Sequence, residues 1–144
     1  MNLIYSKSGE ALTERFESCR LVAYLDSKGI PTIGWGHTAG VSMGDTCTQE
    51  QADLWLMQDT QTAVNDVNRL VNTPLTQNEF DALCDFVYNV GGGNFAESTM
   101  LKLINAGNLE AAAEEFTRWD HAGGVIVAGL LRRRVAEQQE FTGG

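Results

Sequence analysis

Apolar residues recur at helical spacing early in the chain, where Leu12 and Phe16 share one face with Arg15 beside them, and this predicts a helix over roughly 8–18. From 20 to 45 the period changes. Short apolar runs, "LVAYL" and "PTIGWGHT", alternate with Gly29, Gly34, Gly36, Gly40 and Gly44, and with Pro31. That pattern predicts a small antiparallel sheet with tight turns. Helical spacing returns at "TQEQ", a capping-box pattern with Thr48 as N-cap and Gln51 three positions on. The stripe Leu56, Ala63, Val67 and Leu70 carries this helix to about Val71, before Pro74 breaks it. A second capping box, "TQNE" at 76–79, opens a strongly amphipathic run of Phe80, Leu83, Cys84, Val87 and Tyr88. The three glycines at 91–93 are expected to stop that helix. Shorter helices are expected at about 98–105 and 108–119, then a loop "HAGGVIVAG", then a last helix "LLRRRVAEQQEF".

The layout predicts an α+β, mainly helical fold. One domain over 1–144 is expected, with two lobes at about 1–50 and 72–144 joined by the helix at about 48–71. The formal net charge is −9, from 19 acidic and 10 basic side chains, which argues against nucleic acid as a partner. Arg132, Arg133 and Arg134 gather three of the basic residues into one run, which reads either as a solvated helix face or as a functional cluster. Cys19, Cys47 and Cys84 have no metal-ligand spacing and read as small buried residues of a reducing compartment. The start has no basic segment before an apolar run, so no signal peptide is expected. No stretch has the roughly 18 apolar residues of a membrane span, so no direct membrane insertion is expected.

Candidate chemistry concentrates in "FESCRLVAYLDSKGIPTIGWGHT", residues 16–38. Glu17 stands at the predicted end of the first helix. Asp26 follows at a predicted strand end, and Thr32 offers a hydroxyl able to hold a water. Two carboxyl groups on separate elements can cleave a glycosidic bond when one donates a proton and the other manages water. The same residues also read as a surface Glu and an Asp in a turn. His37, after "GWG", reads as a hydrogen-bonding structural residue or as a catalytic one. G-x-S-x-G occurs only as "GVSMG" at 40–44, within the glycine-rich turn stretch and not between a strand and a helix, and H-E-x-x-H does not occur, so serine and zinc hydrolysis lose ground, and no metal or cofactor is expected.

Taken whole, the stretch resembles the catalytic segment of the phage-type lysozymes, the endolysins of glycoside hydrolase family 24. That pattern has a Glu, an Asp nine residues on and a Thr six further, opening T-I-G-x-G-H; here these are Glu17, Asp26 and Thr32 with "TIGWGH" at 32–37. The resemblance continues through "LTQNEFDALCDFVYNVG", "STMLKLIN", "RWDHAGG" and "GLLRRRVAE". It implies a lysozyme-like fold and hydrolysis of the β-1,4 bond between N-acetylmuramic acid and N-acetylglucosamine in peptidoglycan. Glu17 would be the general acid, and Asp26 and Thr32 would position and activate the attacking water, with inversion at the anomeric carbon. A general acid has to keep its proton near neutral pH, so apolar surroundings are expected around Glu17. The resemblance also implies that an Arg of the last helix approaches Glu17, by alignment Arg133, with Arg132 or Arg134 as alternatives. Tyr88 stands where the family often has an aromatic in its cleft, although its helical spacing equally suits the core. Ser18 replaces the family's commoner glycine and is expected to alter the helix end slightly. The negative charge leaves wall attraction to local patches such as Arg132–Arg134.

Two other readings remain at this stage. A lytic transglycosylase cuts the same bond without water, and a wall-binding module would have lost catalysis altogether. The resemblance further implies a monomer kept in the host cytoplasm, then released by a holin-type pore to act on peptidoglycan in the periplasm. A single catalytic domain suits the thin wall of a Gram-negative host.

Overall fold

The computed structural model describes residues 3–122 and 124–143. The chain folds as two compact units, residues 13–62 and residues 1–12 with 63–144. Two helices run across the boundary: α1, Lys7–Phe16, and α2, Gln49–Leu70. The fold is lysozyme-like and mainly helical, with a small sheet near the N-terminus.

The unit of residues 13–62 is built on an antiparallel hairpin, β1 (Arg20–Leu25) with β2 (Pro31–Gly34). Tyr24 faces Thr32 and Leu25 faces Pro31, with an irregularity in register between Arg20 and Tyr24. The chain returns to β1 a third time, where Val22 bridges Thr46 and Cys47 N–H donates to the Leu21 carbonyl at 2.9 Å. Ala23, Ile33, Ala52 and Leu56 are the buried apolar residues of this unit. Thr48 caps α2 as expected, its Oγ1 accepting from Gln51 N–H at 3.1 Å.

The other unit holds α3 (Gln77–Val90), α4 (Gly92–Ala96), α5 (Thr99–Asn105), α6 (Leu109–Glu115), a 3-10 turn at Phe116–Arg118 and α7 (Ala128–Phe141). Thr76 and Glu79 form the capping box in full, so α3 starts where the pattern predicts. All eight residues from Phe80 to Val87 are buried, which makes α3 the central helix rather than an amphipathic surface one. Phe86 meets Phe95, Phe116 and Trp119 edge-on at centroid distances of 6.3, 5.4 and 5.5 Å. The N-terminal segment is tied down by polar bonds. Buried Asp81 accepts from the Ser6 backbone and hydroxyl and from Gln77, while Asn68 exchanges two hydrogen bonds with the Leu3 backbone.

The glycines at 91–93 stop α3 as expected, at Gly91, whose φ of 96° closes the C-terminus, and α4 begins at once with Gly92. One expectation needs correction here. The stretch 121–129 is not simply a loop, because His121–Ala122 (β3) and Val125–Ile126 (β4) pair as a short antiparallel ribbon. Part of that stretch, Gly123, lies outside the described residues.

Candidate active site

Glu17 follows directly on α1, its N–H still making the helical bond to the Thr13 carbonyl at 2.9 Å. The helix end therefore sets where its side chain begins. Glu17 is half-buried, and its carboxylate lies against the backbone of Gly36: a Cβ added to Gly36 would meet Glu17 Oε1 at 2.8 Å. Only a residue without a side chain allows that approach. Ser18 is exposed.

Asp26 opens the connection between β1 and β2. Its Oδ1 accepts from the N–H groups of Lys28 at 2.8 Å and Ile30 at 2.9 Å, an Asx-type turn written into "DSKG". Its Oδ2 takes no hydrogen bond from the described residues. Thr32, nearly fully buried on β2, donates its hydroxyl proton to the Ile30 carbonyl at 2.8 Å, so its oxygen keeps lone pairs for an incoming donor. The hairpin thus carries Asp26 and Thr32 together, both hydrogen-bonded to the backbone of Ile30.

"TIGWGH" forms the turn that follows. Ile33 and His37 exchange two backbone hydrogen bonds of 2.9 Å, closing the segment on itself. His37 is buried on α2: its Nδ1 lies 2.7 Å from Asp59 Oδ2, and its ring stacks on Trp55 at 4.5 Å with an interplanar angle of 4°. Trp35 donates its indole N–H to Asp53 Oδ1 at 2.8 Å, and the Gln49 amide donates to the same oxygen at 2.9 Å. Those two bonds, Trp35 first, hold the Asp53 carboxyl below its ordinary range. Trp55, Asp59 and Asp53 had no motif to announce them. Their signal is a Trp-x-x-x-Asp pair, 55 and 59, at helical spacing on α2.

Arg133 and Tyr88 belong to the other unit. Arg133 is buried and grips buried Asp85 with two bonds, Nε to Oδ2 at 3.0 Å and Nη2 to Oδ1 at 2.8 Å. Arg134 is wholly buried over the Phe86 ring, centroid distance 5.0 Å, with Nη2 donating to Glu137 Oε2 at 2.9 Å. Its Nε approaches Glu137 Oε1 at 2.6 Å without hydrogen-bond alignment. Of the three arginines only Arg132 is exposed, so the expected basic surface patch does not exist. Tyr88 is half-buried and packs against the core of its unit. Cys84 is buried, and its surroundings push the thiol upward, but Cys19 and Cys47 are only half-buried, contrary to expectation. Among the described residues no cluster of metal-ligating side chains occurs, and no helix is long and apolar enough to cross a membrane.

A small antiparallel hairpin followed by a long helix and a set of further helices is a lysozyme-like fold. The phage lysozyme profile matches residues 14–137. The endolysin of Salmonella phage P22 is 43% identical over 134 residues, covering 90% of this chain and 92% of that one. The endolysin from Escherichia coli O157:H7 phage FAHEc1 superposes with a TM-score of 0.92 at 38% identity, covering 98% of this chain and 94% of the other. The muramidase domain of SpmX from Asticaccaulis excentricus gives 0.89 at 38% identity, covering 96% and 97%. The chain belongs to the phage lysozyme family and is an enzyme of the lysozyme class.

Proposed function

We propose that this protein is a muramidase that hydrolyses the β-1,4 bond between N-acetylmuramic acid and N-acetylglucosamine in peptidoglycan, with Glu17 as general acid. The observation that carries the reading is the hairpin, where Asp26 is anchored through Oδ1 alone and the Thr32 proton is committed to the Ile30 carbonyl. A water donating one proton to Asp26 Oδ2 and the other to Thr32 Oγ1 would turn a lone pair away from both. Asp26 then takes the proton as that lone pair attacks the anomeric carbon, and Glu17 protonates the leaving oxygen. The muramidase and endolysin relatives support the same bond and the same polymer. On this reading the enzyme acts as a monomer. It stays in the host cytoplasm until a holin-type pore admits it to the peptidoglycan of the periplasm, and the host is Gram-negative.

The test is mass spectrometry of muropeptides released from isolated peptidoglycan. Hydrolysis adds water at each new reducing end, and Glu17→Gln should lower that release at least about 100-fold, the usual scale of a general acid's contribution. Products lighter by one water, the 1,6-anhydro form, would make it a lytic transglycosylase. No product from the wild-type protein would leave a wall-binding module.

A further inference from the structure

The turn from Ile33 to His37 holds Gly36 against the Glu17 carboxylate, so whatever fixes that turn fixes one wall of the acid's position. Gly36 has no side chain with which to anchor itself. Its two neighbours do. His37 is buried on α2 through Asp59 and Trp55, while Trp35 reaches the exposed side of the same helix and donates to Asp53. Asp53 lies in the second turn of α2, and Gln49 one turn earlier donates to the same Oδ1 and helps hold it in place. Gly34 completes the docking, since a Cβ added there would meet Ala52 at 3.1 Å. With residues 34, 35 and 37 all attached to one helix, Gly36 has no freedom to swing away from Glu17.

We propose that Asp53 is a positioning residue for the general acid, acting through Trp35 to latch the turn that backs the Glu17 carboxylate. The proposal rests on the reading of Glu17 as the acid. Asp53 touches neither Glu17 nor substrate in this scheme. Its task is to stop Trp35 and Gly36 from drifting, because the Ile33–His37 bonds and the Gly34 packing secure only the two ends of the turn. Charge-assisted hydrogen bonds such as indole to carboxylate are stronger than neutral ones, which suits an exposed latch. Loss of the latch should therefore appear in turnover and leave substrate affinity unchanged.

The experiment compares Asp53→Ala, Asp53→Asn, Trp35→Phe and the Ala/Phe double variant with wild type on soluble uncrosslinked glycan strands, separating kcat from KM. Asp53→Ala and Trp35→Phe should each lower kcat about tenfold at unchanged KM, the order expected for a sub-ångström misplacement of a catalytic group. The double variant should lose no more than either single one. Asp53→Asn keeps an oxygen acceptor and should restore most of the rate. In 15N-labelled protein the Trp35 indole signal should move in Asp53→Ala and stay near its wild-type position in Asp53→Asn. Wild-type kcat in Asp53→Ala or Trp35→Phe, or losses that simply add, would overturn the proposal. So would equal loss in Asp53→Asn, or a loss lying wholly in KM. Glu17→Gln run alongside keeps the two claims apart: if it is fully active, the reading of Glu17 fails, whereas an inactive Glu17→Gln with an unimpaired Asp53→Ala removes only the latch.

Discussion

Gly36 combines a φ of +90° with a Glu17 oxygen standing where a Cβ would have to be. A substitution there meets two obstacles, a backbone conformation that costs an L-residue about 1–2 kcal/mol and a clash with a carboxylate. Gly36→Ala is accordingly expected to lose stability by about that amount in urea unfolding. Its activity should fall by about tenfold or more, because the acid itself is displaced. Retained activity with the stability loss alone would mean that Glu17 tolerates other positions. The arginine run shows the opposite limit of reading single residues. Three consecutive arginines look like a solvated cluster, yet successive helical positions point about 100° apart, so Arg132 faces solvent while Arg133 and Arg134 turn inward to Asp85 and Glu137. No local pattern names an acid some fifty residues away as the partner of Arg133.

Elements were most legible where local chemistry dictates their ends. At Thr76 the hydroxyl accepts from Glu79 N–H at 3.1 Å, and the Glu79 carboxylate accepts from Thr76 N–H at 2.8 Å. Thr76→Ala removes one half of that exchange and is expected to cost about 1 kcal/mol. Calorimetry should register a fall in Tm of roughly 2–4 °C. An unchanged Tm would show that packing along α3 sustains the helix start without its cap. Ser98 and Asn108 mark the starts of α5 and α6 in the same way, their side chains accepting from Leu101 and Ala111. Where the ends depend on other parts of the chain, the pattern ran out. Glycines stop a helix but do not forbid the next one, and a two-residue ribbon such as β3 with β4 is too short to show a period of its own.

At the scale of the whole molecule, a net charge of −9 accompanies ion pairs that are deeply buried. Burial, then Asp85, pushes the Glu137 carboxyl well above its ordinary range against the opposing pull of Arg134 and Arg133. The folded protein therefore binds that proton more tightly than the unfolded chain does. The resulting contribution to stability is fully present below the unfolded-state value and is lost as pH rises towards the folded one. Glu137→Gln cannot ionise and escapes this loss. Its stability relative to wild type, measured by urea unfolding, should improve between about pH 5 and pH 8. A constant difference across that range would show that Glu137 stays ionised beside the arginines.

Glu17, Asp26 and Thr32 stood out through a resemblance to a family's segment, whereas by itself the sequence determined the hairpin, the longer helices and the caps at Thr48 and Thr76, because each rests on bonds to residues a few positions away. Asp26 illustrates this: its Oδ1 bonds lie within four residues and are legible in "LDSKG". Tertiary structure alone decided the partners of side chains far apart in the chain. His37 found Asp59, Trp35 found Asp53, and in the other unit Arg133 found Asp85, across separations of 22, 18 and 48 residues. The physical reason is that such partners are chosen by the folding of one element against another. Spacing along a chain carries no record of that choice until the elements have met.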